Sequence, residues 1–284
     1  MIKLIASDID GTLVGKKRKI SDKNIEAIRY ALSKGVHFAI ASGRAYDDIT
    51  PVYKPFGLEC QVIAVNGAKY YDETGKQLVS YLLNKESCLK VIDLFEKHNL
   101  HYMLYTSKGT VTHMDVEEVK DSFIKRKVHH SGGTYEDTYN DMETNYIPFR
   151  TLRHEDDLDT FLSEDVEIHK VEGFDPYPEK IDEVKPFMKD IDHIAYLSSF
   201  NNNMEVTNDK ANKGDSLLYA TKLMGIKPEE VLVLGDAAND MSMFELFENS
   251  AAVANASEEI KAKAKYQVAS CDDDGVAEAI YKLI

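Results

Sequence analysis

A chain of 284 residues, 43% hydrophobic and 29% charged, is long enough for about two domains and a sizeable core. Its formal net charge of −15 argues against nucleic acid or an anionic membrane as partner, because both call for basic patches; it leaves room for a small anion held in a locally positive pocket. The cysteines Cys60, Cys88 and Cys271 are scattered, odd in number and lack C-x-x-C spacing, which favours a reduced, cytosolic setting over a disulfide framework or a zinc site. No apolar run approaches the ~20 residues of a membrane span. Met1-Ile2-Lys3 leads directly into an apolar run, leaving no room for a signal peptide. The expectation is a cytoplasmic protein, monomeric or a small homo-oligomer.

In chain order, the apolar run Ile2 to Ala6 predicts a strand that ends at Asp8-Ile9-Asp10-Gly11-Thr12-Leu13. Ser21 then caps a helix whose apolar positions Ile25, Ile28, Ala31 and Leu32 recur at helical spacing, and Gly35 stops it. A strand over 36–41 runs into Ser42-Gly43-Arg44, a helix over 45–56 follows, and a strand over 62–65 ends at Asn66-Gly67. This alternation predicts a parallel α/β sheet, with its chemistry at the carboxyl ends of the strands.

Tyr70-Tyr71 and 79–82, joined by Asp72 to Gly75, read as a hairpin flap. The pattern then changes. Cys88, Val91, Ile92 and Phe95 mark an amphipathic helix, followed by short strands at 101–106 and 110–114 without helical crossovers. From 115 to 160 the chain is polar and apolar periodicity is weak. Strands are expected at 166–171, 194–197 and 204–207, with a helix between the first two, and residues 84–208 read as an inserted α+β module. The α/β pattern resumes with a helix over 213–224 and a strand over 231–234 that enters Gly235-Asp236-Ala237-Ala238-Asn239-Asp240. A helix, a short run at 251–254, a helix from Ser257 and a terminal helix over 276–283 complete a core of 1–83 and 209–284.

Two carboxylates two positions apart on an extended backbone project from one face and repel each other. Such a pair suits divided labour: one stays ionised as nucleophile or metal ligand, and the other is pushed to hold and give a proton. Phosphoryl transfer needs a nucleophile, neutralisation of the phosphoryl oxygens and an acid for the leaving oxygen. Asp8 suits the nucleophile and Asp10 the acid. Ser42 and the Gly43 amide can bond a phosphate at a strand end beside a helix N-terminus, and Lys213 can supply a fixed positive charge. Asp8 with Asp236 would suit Mg²⁺, which takes few carboxylates alongside waters and substrate oxygens. Arg44 is open between a substrate contact and a surface residue.

These four segments, in this order, resemble the motifs of haloacid dehalogenase-superfamily phosphatases of the Cof-type branch, which carry a large cap between the second and third motifs. The resemblance implies a Rossmann-like parallel-sheet core with an inserted α+β cap. It implies an Mg²⁺-dependent phosphatase working through an aspartyl-phosphate, with Asp8 the nucleophile and Asp10 the acid. It places Asp8, Asp236 and the Asp10 backbone carbonyl around the metal, with Asp240 and Thr12 in support. Ile9, Ser42, Gly43, Lys213 and Asn239 would face the phosphate. The expected partner is a small phosphorylated metabolite, a sugar phosphate or a cofactor-like compound. A phosphomutase using the same chemistry, or a non-catalytic phospho-ligand sensor, stays open at this point.

Overall fold

The computed structural model describes all residues except Glu164 and Ser199. The chain divides into two compact units, residues 1–81 with 210–284, and residues 82–209. Among the described residues, no helix is long and apolar enough to cross a membrane.

The first unit opens with β1 (Leu4–Ser7), α1 (Asp22–Ser33), β2 (His37–Ala41), α2 (Tyr46–Tyr53), β3 (Gln61–Ala64), β4 (Lys69–Tyr71) and β5 (Gln77–Ser80). The second unit contributes α3 (Lys85–Lys97), β6 (His101–Thr106), β7 (Gly109–Thr112), α4 (Val116–Ser131), α5 (Tyr135–Asn145), α6 (Ile147–Arg150) and β8 (Arg153–His154). It continues through α7 (Leu158–Phe161), β9 (Ile168–Phe174), α8 (Pro178–Met188), β10 (Ile194–Leu197) and β11 (Asn203–Asn208). The chain returns to the first unit with α9 (Lys213–Met224), β12 (Val231–Gly235), α10 (Met241–Leu246), β13 (Asn249–Val253), α11 (Glu258–Lys263), β14 (Tyr266–Val268) and α12 (Gly275–Leu283).

The first unit is built on one eight-stranded sheet in the order β14-β13-β12-β1-β2-β3-β4-β5. β14 through β3 run parallel, and the near-continuous burial of β13, β12, β1, β2 and β3 is what a sheet covered on both faces requires. The chain winds outward from β1 in one direction as far as β5, then returns beside β1 as β12 and winds the other way. β1 and β12 therefore flank the point where strand order reverses, the position at which such sheets open a crevice for ligands. Two expectations need correction. The 70–82 hairpin is no separate flap, because β4 pairs antiparallel with β3 and carries the sheet to its edge. β14 was not anticipated, since only Val268 of its three residues is buried and a strand that short shows no alternation.

The second unit carries a six-stranded, mainly antiparallel sheet in the order β10-β11-β9-β6-β7-β8, in which only β7 and β8 pair in parallel. Alternate residues of β6 feed two apolar clusters. Tyr102 and Leu104 join α3 and α8, whereas Met103 and Tyr105 join α4, α5 and α6. Most of the polar stretch from 115 is therefore helical. Its periodicity is masked because α4 buries Lys120, Ser122 and Arg126 along with Val119, Phe123 and Ile124. Arg126 donates to Glu172 on β9 at 2.9 Å, with its guanidinium 4.5 Å from the Phe123 ring, so a buried charge sits where an apolar residue was sought.

Candidate active site

The register of β1 against β12 sets Ser7 opposite Leu234, so the next residue of one strand and the next two of the other come together. Asp8 follows there, with its amide donating to the Leu234 carbonyl at 3.0 Å. Gly11, at φ +89, turns the chain away, and its missing side chain leaves room for Asp236: a Cβ there would fall 2.4 Å from Asp236 Oδ2. Thr12, fully buried, donates to Asp236 Oδ1 at 2.8 Å. A carboxylate 228 positions along the chain is thereby seated against the Asp8–Thr12 turn.

Lys213 enters from the first turn of α9, where Asn212 caps the helix by accepting from the Asp215 amide. Its side chain is fully buried, and Nζ donates at 2.7 Å to both Asp8 Oδ1 and Asp240 Oδ1. Asp240, also fully buried, accepts from the amides of Asp236 and Ala237 with its other oxygen, at 2.9 and 3.2 Å. Its acceptor positions are thus spent on holding the loop and the lysine. Oxygens of Asp8, Asp236 and Asp240 lie within 4.8 Å of one another, the one cluster of this kind among the described residues.

The electrostatics follow from this crowding. Burial pushes the Asp8 carboxyl well above its usual range; Lys213 opposes the shift, and Asp240, Asp236 and Asp10 add to it. Burial, then Asp240, pushes Asp236 up to about 7, with Thr12 and Lys213 pulling it back. Burial disfavours the Lys213 charge, but Asp240 and Asp8 more than offset it and keep the lysine protonated. When ionised, three carboxylates around one ammonium leave negative charge uncompensated, which is why Asp8 and Asp236 are pushed up. A hard divalent cation bound by oxygens is what such a donor set accommodates, with Asp8 and Asp236 as the residues able to hold it and Asp240 committed elsewhere.

The repulsion expected between Asp8 and Asp10 is present but is the smallest of the influences on Asp8. β1 ends at Ser7, so Asp8 and Asp10 lie on a turn rather than on one face of a strand. Asp8 turns inward to Lys213, whereas the Asp10 side chain is 59% exposed and faces Arg44. Arg44 Nε donates to Asp10 Oδ2 at 2.7 Å and Nη2 donates to Oδ1, a bidentate pair. Arg44 is therefore paired with Asp10 rather than free in solvent, and its side chain is about one-third exposed, at 32%.

Ser42, buried at the end of β2, donates its amide to Ile63 and accepts from the Arg44 amide at 3.2 Å. Ile9 is fully buried in the core, so only its backbone can face the site. Asn239 Nδ2 donates to Asn66 Oδ1 at 3.2 Å. Asn66 and Asn255 were missed. The first read only as an Asn-Gly strand stop; the second, which donates to the Gly11 carbonyl at 2.7 Å and accepts from the Cys271 amide at 2.9 Å, carries no sequence signal at all.

The sequence model of the haloacid dehalogenase-like hydrolases matches residues 5–280. The chain is 28% identical over 294 residues to phosphatase YwpJ of Bacillus subtilis, with 100% of each covered. It is also 28% identical over 287 residues to the 5-amino-6-(5-phospho-D-ribitylamino)uracil phosphatase YwtE of the same organism, covering 100% of this chain and 98% of that one. A solved haloacid dehalogenase-like hydrolase from B. subtilis superposes with a TM-score of 0.88 at 27% identity, over 100% of both chains.

Proposed function

The chain belongs to the haloacid dehalogenase-like hydrolases and is a phosphoric monoester hydrolase; we propose that it is an Mg²⁺-dependent phosphatase of small phosphorylated metabolites, acting through a phosphorylated Asp8. The observation that carries this reading is the buried Lys213, bonded to Asp8 at 2.7 Å, inside the cluster formed with Asp236 and Asp240. It presents one carboxylate to an incoming phosphorus while supplying the positive charge that phosphoryl oxygens need.

In the proposed cycle an Asp8 oxygen attacks phosphorus, and the bond from phosphorus to the ester oxygen breaks. Asp10 gives its proton to that departing oxygen. Asp10 then takes a proton from water as the water oxygen attacks the same phosphorus, releasing inorganic phosphate and restoring Asp8. Ser42, the Gly43 and Ile9 backbone, Asn239 and Lys213 bind the phosphoryl oxygens, while Asp240 and Thr12 hold Lys213 and Asp236 in place. Asp8 and Asp236 would hold Mg²⁺, and the chemistry it would supply there is neutralisation of charge on the transferring group. Arg44 imposes a condition on this assignment, because Asp10 must give up one of its two Arg44 bonds to carry a proton.

The substrates proposed are sugar phosphates and cofactor-like compounds. One relative is named as a phosphatase of 5-amino-6-(5-phospho-D-ribitylamino)uracil, a compound whose phosphate sits on a ribityl chain. Residues 84–208, read as a cap, would set the choice among them. The test is phosphate release over a panel of phosphorylated metabolites, with Mg²⁺ and with a chelator. Activity is expected with Mg²⁺ alone and absent from Asp8→Asn and Asp10→Asn enzymes of unchanged fold. Hydrolysis that persists in chelator would contradict the metal, and turnover by Asp8→Asn would sink the nucleophile.

A further inference from the structure

At the end of β3 three consecutive residues, Val65, Asn66 and Gly67, have φ of 52°, 53° and 98°. Glycine and asparagine tolerate the left-handed region, but a β-branched valine there is a conformational outlier, and such outliers persist only when their surroundings over-determine them. The surroundings here are three of the four motifs. The Val65 amide donates to the Arg44 carbonyl and the Asn66 amide to the Ser42 carbonyl, both at 2.9 Å, crossed bonds that tie together the segments following β2 and β3. Gly67 lies against the backbone of Asn212, where a Cβ would fall 2.1 Å from the carbonyl oxygen, and its own carbonyl accepts from Ser216 Oγ at 2.6 Å. Lys213 follows Asn212 directly. The Asn66 side chain, 1% exposed, accepts from Asn239 Nδ2 at 3.2 Å, and its oxygen stands 3.1 Å from where a Cβ on Gly43 would be.

We propose that Asn66 is a positioning residue for phosphate: its carboxamide, wedged between Gly43 and Asn239, fixes the Asn239 amide from within a left-handed turn that ties the Ser42, Lys213 and Asn239 segments together. This rests on the reading of Asn239 and its neighbours as the phosphate-binding groups. The turn explains why a strained valine is kept. An untwisted strand end would carry the Asn66 side chain away from Asn239 and release the Ser42 and Arg44 carbonyls.

A double-substitution cycle tests it, read by calorimetric titration of inorganic phosphate into the full chain in Mg²⁺ buffer. Asn66→Gly deletes the carboxamide while keeping a residue at ease with positive φ, and a melting curve checks that the fold is retained. Each of Asn66→Gly and Asn239→Ala is expected to weaken phosphate binding about tenfold. In the Asn239→Ala background, Asn66→Gly should add less than about twofold, because one hydrogen bond is lost only once. Fully additive losses overturn the proposal. If Asn239→Ala weakens binding and Asn66→Gly does not, Asn66 alone falls. If Asn239→Ala leaves binding unchanged, the assignment of Asn239 to phosphate falls and Asn66 falls with it.

Discussion

Arg44 and Asp10 form a closed pair in which every carboxylate oxygen has a guanidinium donor. If Asp10 protonates the leaving group, a residue that orients Asp10 matters most where that proton matters most. General acid catalysis contributes roughly 10²–10⁴-fold for a poor leaving group and little for a good one. Arg44→Ala is therefore expected to slow an alkyl phosphate by about 100-fold or more while slowing p-nitrophenyl phosphate by only about tenfold. Equal losses on both substrates would instead make Arg44 a contact to the phosphate itself. The carboxylate cluster carries a pH prediction. Asp236 is raised from 3.8 to about 7. A carboxyl raised by folding contributes stability that is fully present below its unfolded value and is lost as pH rises through its folded value. Without metal, that contribution should fade between about pH 4 and about pH 7. A divalent cation favours the ionised carboxylates, so the rise in melting temperature on adding Mg²⁺ should be larger at about pH 8 than at about pH 5.5. An equal rise at both would separate Mg²⁺ from this cluster.

The packing of α9 on α10 is the element-level feature that aims Lys213. Gly214, the second residue of α9, lies so close to α10 that a Cβ would fall 2.3 Å from the backbone oxygen of Ser242 and 3.0 Å from Leu246 Cδ1. Two effects of Gly214→Ala oppose each other. Helix propensity favours alanine by about 1 kcal/mol. Overpacking against backbone that cannot rotate away costs about 1–3 kcal/mol, and the Ser242 hydroxyl bond to the Gly214 amide at 3.0 Å would be strained as well. The steric effect should win. We expect a lower urea midpoint for Gly214→Ala and, because Lys213 is the adjacent residue, a fall in phosphate release that exceeds the loss of folded protein. A midpoint at or above that of the parent would show that the two helices can separate freely.

At the scale of the whole molecule, residues 82–209 have the features of an autonomous unit. Two apolar clusters flank their sheet, and the two chain crossings lie together, with Asn208 Nδ2 donating to the Leu82 carbonyl at 2.9 Å. An insertion whose ends meet can be added to a host sheet with little disturbance of either. The isolated segment 82–209 is expected to melt cooperatively by circular dichroism. A gradual, sloping loss of signal would show that its sheet depends on the rest of the chain.

Much of this was already written in the chain, for reasons that are local. Apolar runs such as Val231 to Leu234, capping residues such as Ser21, and the stop at Gly35 act within a few residues, so α/β order and the four motif positions can be read without knowing what touches what. The family resemblance rested on those same short segments. What tertiary structure decided are the pairings. Asp8 and Asp236 meet because β1 and β12 are neighbours in register. Asp10 binds Arg44 and repels Asp8 only weakly, because the strand ends one residue before Asp8 and the two side chains diverge. Helix α4 could not be recognised from its pattern, because its inward Arg126 is balanced by Glu172 on a strand 46 positions away. Asn66 looked like punctuation, and only the folded chain sets its carboxamide against Asn239. Periodicity and capping are properties of contiguous residues, whereas charge compensation and hydrogen bonding depend on neighbours that only the fold supplies.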